Sequence, residues 1–388
     1  MISRKSLIII SLLALALLAL LGVLFSSQKI GKSDKLTEQV LPNDYLAREK
    51  TSIISPNSEN KTTEATLAEN LPKLDCLNKQ DTVDKFNCYE DFYKKSVGQD
   101  GPQVAMLDLK TRYNLEPYVK NECHQLAHVI GRAATAKYPT VDEAYIRGDS
   151  ACWSGYYHGV IESVMKKIGL ENITFETLDG ICRNLAKHEP YSFNHYNCVH
   201  GIGHGTMYIN GNELFVSLEM CDLLKDDWER SSCWGGVFME NVIADNRNHF
   251  TKYLKPEDPL YPCNAVKDNQ KSTCYLMQTS YMLKLKNGNF KEVFTLCSTV
   301  DENYLNTCYQ SLGRDASGWT ISDPIRTKSY CLLGPNDRAQ SNCIIGAVKD
   351  FISYHHSDVQ AKAFCNSLSE NLKNVCLSTG EVYYRTFN

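Results

Sequence analysis

The chain has 388 residues, 43% hydrophobic and 22% charged, a globular composition that excludes a disordered chain. Its 41 basic and 45 acidic residues are scattered and leave a net charge of −4, so nothing electrostatic argues for nucleic-acid binding. The informative features are an apolar N-terminal run and sixteen cysteines.

Residues Leu7–Phe25 read LIIISLLALALLALLGVLF, uncharged and preceded by Arg4 and Lys5. As a helix this run rises about 28 Å, close to the thickness of a bilayer's hydrocarbon core. It leaves through Val23, Leu24 and Phe25 rather than a small-x-small cleavage site. The pattern predicts an uncleaved signal-anchor over residues 1–27, a transmembrane helix with a short cytoplasmic stub and an exported body. Residues 28–70 are polar with few aromatics and read as a flexible linker holding the body off the membrane.

All sixteen cysteines follow the apolar run. In an exported, periplasmic or extracellular chain such a set is a disulfide framework rather than a metal-binding one. The spacing pairs them: Cys76 with Cys88, Cys182 with Cys198, Cys221 with Cys233, Cys263 with Cys274, Cys297 with Cys308, Cys331 with Cys343, and Cys365 with Cys376. The first members Cys263, Cys297, Cys331 and Cys365 recur every 34 residues, the length of an αα-hairpin repeat. In SDVQAKAFCNSLSENLKNVCLSTGEVYYRT, Ser357 and Asp358 start a first helix carrying Cys365 near its end. Ser369 then caps a second helix carrying Cys376. The remaining Cys123 and Cys152 look like second-helix cysteines and are expected to bond each other.

In period and staple the region resembles cysteine-stapled αα-repeat proteins of the Sel1-like or tetratricopeptide-like kind. The resemblance implies an all-α, disulfide-stapled αα-hairpin solenoid over residues 71–388 and carries no activity with it. Within it, residues 117–245 form a His-rich part and residues 246–388 the regular 34-residue repeats.

The His-rich part is where the repeats stop being equivalent. Six residues after Cys152 and Cys198 come His158 and His204; the same offset gives Met239, Ser280, Arg314, Lys349 and Val382 later on. His124 and His128 follow Cys123, His200 lies a turn before His204, and Glu162 a turn after His158. The stretch CVHGIGHGTMY places Gly201, Gly203 and Gly205 among two of these histidines, although glycine costs a helix about 1 kcal/mol relative to alanine. Close helix approach around a compact polar centre offsets that cost. His124, His128, His158, Glu162, His200 and His204 are therefore the candidate ligands of a transition-metal site. Imidazole and carboxylate suit zinc, copper or iron when the thiols are oxidised.

Glu162 is the candidate general acid/base if the site is catalytic. Tyr157, Tyr208, Met239, Glu240 and Asn241 are candidate pocket residues. Sharper motifs fail: HQLAH has Gln125 where a zincin helix needs glutamate, no CxxCH precedes His124, and GIGHG lacks the GK[ST] of a phosphate loop. The remaining histidines, His188, His195, His249, His355 and His356, fall near expected loops and read as solvent-facing. A metal oxidase, a hydrolase and a metal-carrying binding protein fit these residues equally. The alternative from another class is a scaffold whose repeat surface grips a protein, glycan or small molecule while its histidines only pack.

Overall fold

The structure, a computed structural model, describes residues 71–243, 250–320 and 322–387; the apolar run and the linker lie outside them. The described residues form sixteen α-helices and two short 3-10 turns, with no strand, and no helix among them is long and apolar enough to cross a membrane.

In chain order, Cys76–Cys88 staples a 3-10 turn to α1 (Thr82–Asp100). Then come α2 (Pro102–Leu115), α3 (Pro117–Lys137), the five-residue α4 (Val141–Tyr145) and α5 (Gly155–Ile168). The next two, α6 (Phe175–His188) and α7 (Phe193–Ile209), are joined by Cys182–Cys198. They are followed by α8 (Leu214–Cys221), α9 (Asp227–Ile243), α10 (Asp268–Leu285), α11 (Phe290–Cys297) and α12 (Glu302–Thr320). The chain ends with α13 (Pro324–Cys331), α14 (Asp337–His355), α15 (Val359–Asn366) and α16 (Glu370–Phe387).

The short helices α8, α11, α13 and α15 have eight residues each, and each carries its cysteine in the last two positions. The bonds Cys221–Cys233, Cys297–Cys308, Cys331–Cys343 and Cys365–Cys376 then run to the second turn of the long partner. Side-chain caps set the starts: Asn289 accepts from the Glu292 N–H, Asp323 from Arg326, and Asn336 from Ala339. Closing a loop of this length contributes about 2–3 kcal/mol per bridge.

Two places depart from the expected hairpin. Cys152 bonds Cys123 but lies on no helix; it opens a left-handed turn in which Cys152, Trp153 and Ser154 all have φ between 54° and 59°. Cys263, bonded to Cys274, sits in an irregular stretch where a first helix was expected. The Gln278 side-chain amide holds that stretch by donating to the carbonyls of Pro259 and Tyr261, 2.9 Å each.

The long helices α3, α5, α7, α9, α10, α12, α14 and α16 stack in that order, the short ones backing them. The row curls on itself. Ser150 donates to the Tyr354 carbonyl (3.2 Å), His356 stacks on Phe193 with 4.9 Å between rings, and Trp153 lies against Gly318.

Paired glycines let the long helices touch backbone to backbone. A Cβ at Gly131 would strike the Tyr156 carbonyl and one at Gly159 the His128 carbonyl; Gly203 and Gly236 meet Cys233 and His200 in the same reciprocal way. Gly201 and Gly205, on the other side of α7, lie under Ile161 and Met165 of α5. The three glycines of CVHGIGHGTMY thus serve two helix contacts at once.

Gly236→Ala presses a methyl into backbone that cannot rotate away, and it is expected to lower stability by about 1–3 kcal/mol. Gly180→Ala, in α6 with nothing within 4 Å, is expected to be neutral or stabilising by up to about 1 kcal/mol. Denaturant midpoints of the two variants check the contrast.

Candidate metal centre

Helical periodicity puts His124, His128 and Arg132 on one face of α3, His158 and Glu162 on one face of α5, and His200 and His204 on one face of α7. The glycine contacts bring these faces together. Among His124, His128, His158 and His204, all six ring-centroid distances lie between 4.1 and 5.8 Å. One nitrogen from each of the four falls within 4.8 Å of the others, a grouping that can hold a metal ion. All four are buried, none more than 6% exposed.

The hydrogen bonds fix which nitrogen faces inward. His124 Nδ1 donates to the Cys152 carbonyl at 2.7 Å, and His128 Nδ1 donates to Glu162 Oε1 at 2.6 Å. His204 Nδ1 is paired with Glu240 Oε2. Each imidazole therefore presents the lone pair of its Nε2 to the interior. His204 Nε2 and His158 Nδ1 are buried with no hydrogen-bond partner, and His124 Nε2 faces His128 Nε2 at 2.9 Å. Two acceptors that close repel unless a proton or a metal ion lies between them.

Burial opposes protonation, holding the pKa values of His124, His158 and His204 below the ordinary imidazole range. At His204 the Glu240 carboxylate works against burial without overcoming it. For Glu162, burial pushes the carboxyl up, but His128 and Arg132 outweigh it and hold the group well below the usual carboxylate range. Two carboxylates, Glu162 and Glu240, face this centre with one guanidinium in contact, that of Arg132, 2.5 Å from Glu162 Oε2.

Glu162, expected as ligand and acid/base, has one oxygen paired with His128 and the other with Arg132. Glu162 and Glu240 do lie near enough to His128 and His204 to form a second four-residue ligand grouping. His200 stands to one side, 5.1 Å between rings from both His158 and His204. Glu240, expected as a pocket residue, proves to be the anchor of His204.

Among the other pocket candidates, Met239 Sδ lies 3.4 Å from His200 Nε2. Tyr208 is at the rim, 39% exposed, with Arg132 and Lys166 over its ring. Asn241 accepts from Thr251 Oγ1 at 2.6 Å. Tyr157 packs beside Tyr145 and Tyr156 and under Gly148.

His195 is not solvent-facing: it is 1% exposed, accepts from the Tyr191 N–H and packs on Trp228. His355 and His356 are half-buried, His188 is exposed, and His249 lies outside the described residues. Arg132 was not among the sequence candidates, although its position one turn after His128 signals it.

Farther along the stack the row equivalent to His158 and His204 changes character. Ser280 and Arg314 both donate to Asp315, and Lys349 to Gln310. Beside Lys349, burial pushes the Asp350 carboxyl up to about 6; Asp315 adds to this while Ser317 and Arg314 oppose it. No family model matches the chain, and comparison with curated proteins and with solved structures finds no significant similarity.

Asp350 binds its proton more tightly folded than at its ordinary 3.8. Its contribution to stability is therefore complete below about pH 3.8 and lost as pH rises through about 6. Asp350→Asn should gain stability relative to the parent between pH 4 and 7, by at most about 3 kcal/mol. Unfolding free energies of both proteins across that range test it; an equal difference at every pH would refute it.

Proposed function

We propose that the protein is a membrane-anchored, extracytoplasmic metal-binding repeat protein whose ion sits among His124, His128, His158 and His204. The observation that carries the reading is the contact between His124 Nε2 and His128 Nε2, 2.9 Å apart with both Nδ1 atoms already committed to oxygen. At metal–imidazole bonds of about 2.0 Å that separation corresponds to an angle of about 93° at the ion, within reach of small adjustments to common geometries. Histidines held through Nδ1 by carboxylate or carbonyl are the arrangement that metal sites use to fix tautomer and basicity.

An all-imidazole set suits zinc, copper or iron. Around a tetrahedral ion four buried protein donors leave no open coordination position, which favours carriage, structural use or electron transfer over activation of a bound water. On this reading Glu162 and Glu240 anchor His128 and His204, and Arg132 neutralises Glu162. The eight disulfides support an oxidising compartment. The apolar run Leu7–Phe25 supports the anchor.

Tag-free protein should contain one equivalent of a first-row metal by elemental analysis, and removing it should lower stability by about 4 kcal/mol at a free ion concentration a thousandfold above Kd. Paired His158→Ala and His204→Ala substitutions should abolish uptake while helicity survives, and Glu162→Gln should weaken it about 10–100-fold. Metal retained by the paired variant would refute the ligand set; protein that neither contains nor takes up metal would favour the scaffold reading.

A further inference from the structure

The centre is built from two modules of the same plan. His124, His128 and Glu162 recur as His200, His204 and Glu240, at intervals of 76, 76 and 78 residues. The anchoring recurs too: His128 and His204 are held by Glu162 and Glu240, and His124 by the Cys152 carbonyl. His200 Nδ1 lies 3.2 Å from the Tyr196 hydroxyl and beside Gly235 of α9. With Nδ1 donating to that hydroxyl, His200 presents a bare Nε2.

That Nε2 does not join the other four. It faces the thioether of Met239, Sδ 3.4 Å away. In that tautomer the imidazole nitrogen and the thioether sulfur are two metal donors at short range. His200 is 3% exposed, whereas Met239 is half-buried, so this pair lies on the more accessible side of the closed four-imidazole centre.

We propose that His200 and Met239 form a second, outer metal position selective for Cu(I), an inference that rests on the reading of the inner imidazoles as a metal centre. With bonds of about 2.0 Å to nitrogen and about 2.3 Å to sulfur, donors 3.4 Å apart subtend an angle of about 104° at one ion. Thioether with imidazole is a soft pair that favours Cu(I) over zinc, magnesium or calcium. Binding needs no redox step: the monovalent ion exchanges from one set of neutral donors to another. The ring of His200, 5.1 Å from His158 and His204, places the outer ion next to the inner donors, as a relay position requires.

The test uses metal-free full-length chain. Cu(I) is titrated anaerobically against bicinchoninate, and Co(II) is titrated separately, its visible absorption reporting on the inner imidazoles. The expected result is copper–sulfur scattering in the X-ray absorption spectrum of the Cu(I)-loaded protein. Met239→Leu, which conserves volume, should abolish that scattering and weaken one Cu(I) equivalent at least tenfold, with the Co(II) spectrum unchanged. Absence of copper–sulfur scattering in the parent, or unchanged Cu(I) affinity in Met239→Leu, would overturn the outer position while Co(II) binding upholds the inner one. Failure of both ions to bind would overturn both.

Discussion

Three inward-facing imidazoles, His124, His128 and His204, are each tethered through Nδ1 to an oxygen from the next long helix or the turn that leads into it, and this tether governs the arrangement. His124 and His128 reach from α3 to the Cys152 carbonyl in the turn before α5 and to a carboxylate on α5; His204 reaches from α7 to Glu240 on α9. The tether sets ring orientation and tautomer together, so the free nitrogen has one direction left. It also demands helix axes close enough for a histidine and a glutamate to meet. That explains glycine wherever α3 crosses α5 and α7 crosses α9. The same reciprocal pair, Gly313 and Gly346, recurs between α12 and α14 without histidines, so close crossing is a property of the stack that the centre exploits.

The staples and the tethers do different work. A disulfide between a short helix and its long partner acts within one repeat and constrains mainly the unfolded chain. The imidazole tethers act between repeats, in a buried setting where an unmet polar atom costs roughly 1–3 kcal/mol. Cys123–Cys152 belongs with the tethers: it joins α3 to the turn whose carbonyl holds His124.

Much of the fold was legible in the sequence because hairpin staples are local. Cysteines 11 or 12 residues apart, recurring every 34, encode a short helix, a turn and two turns of a long helix whatever lies around them. The left-handed run at Cys152–Ser154 was not legible, since none of its three residues favours positive φ. The irregular stretch before α10 was not legible either, because Cys263 keeps its spacing while Gln278 supplies the hydrogen bonds that replace a helix.

For the centre, periodicity identified the residues but not the partition of roles. Glu162 and His200 have the right type and offset, yet Arg132 occupies one and Met239 faces the other. His195 is buried despite its nearness to a loop, because Trp228 folds over it. Residue type announces a donor; only the neighbours say whether its lone pair is spoken for.

The four converging imidazoles come from three consecutive long helices: two from α3, one from α5 and one from α7. No single hairpin owns the set, so no fragment shorter than this span can reproduce it. Occupancy of the centre would report, in one event, that this stretch of the chain has been threaded in correct register.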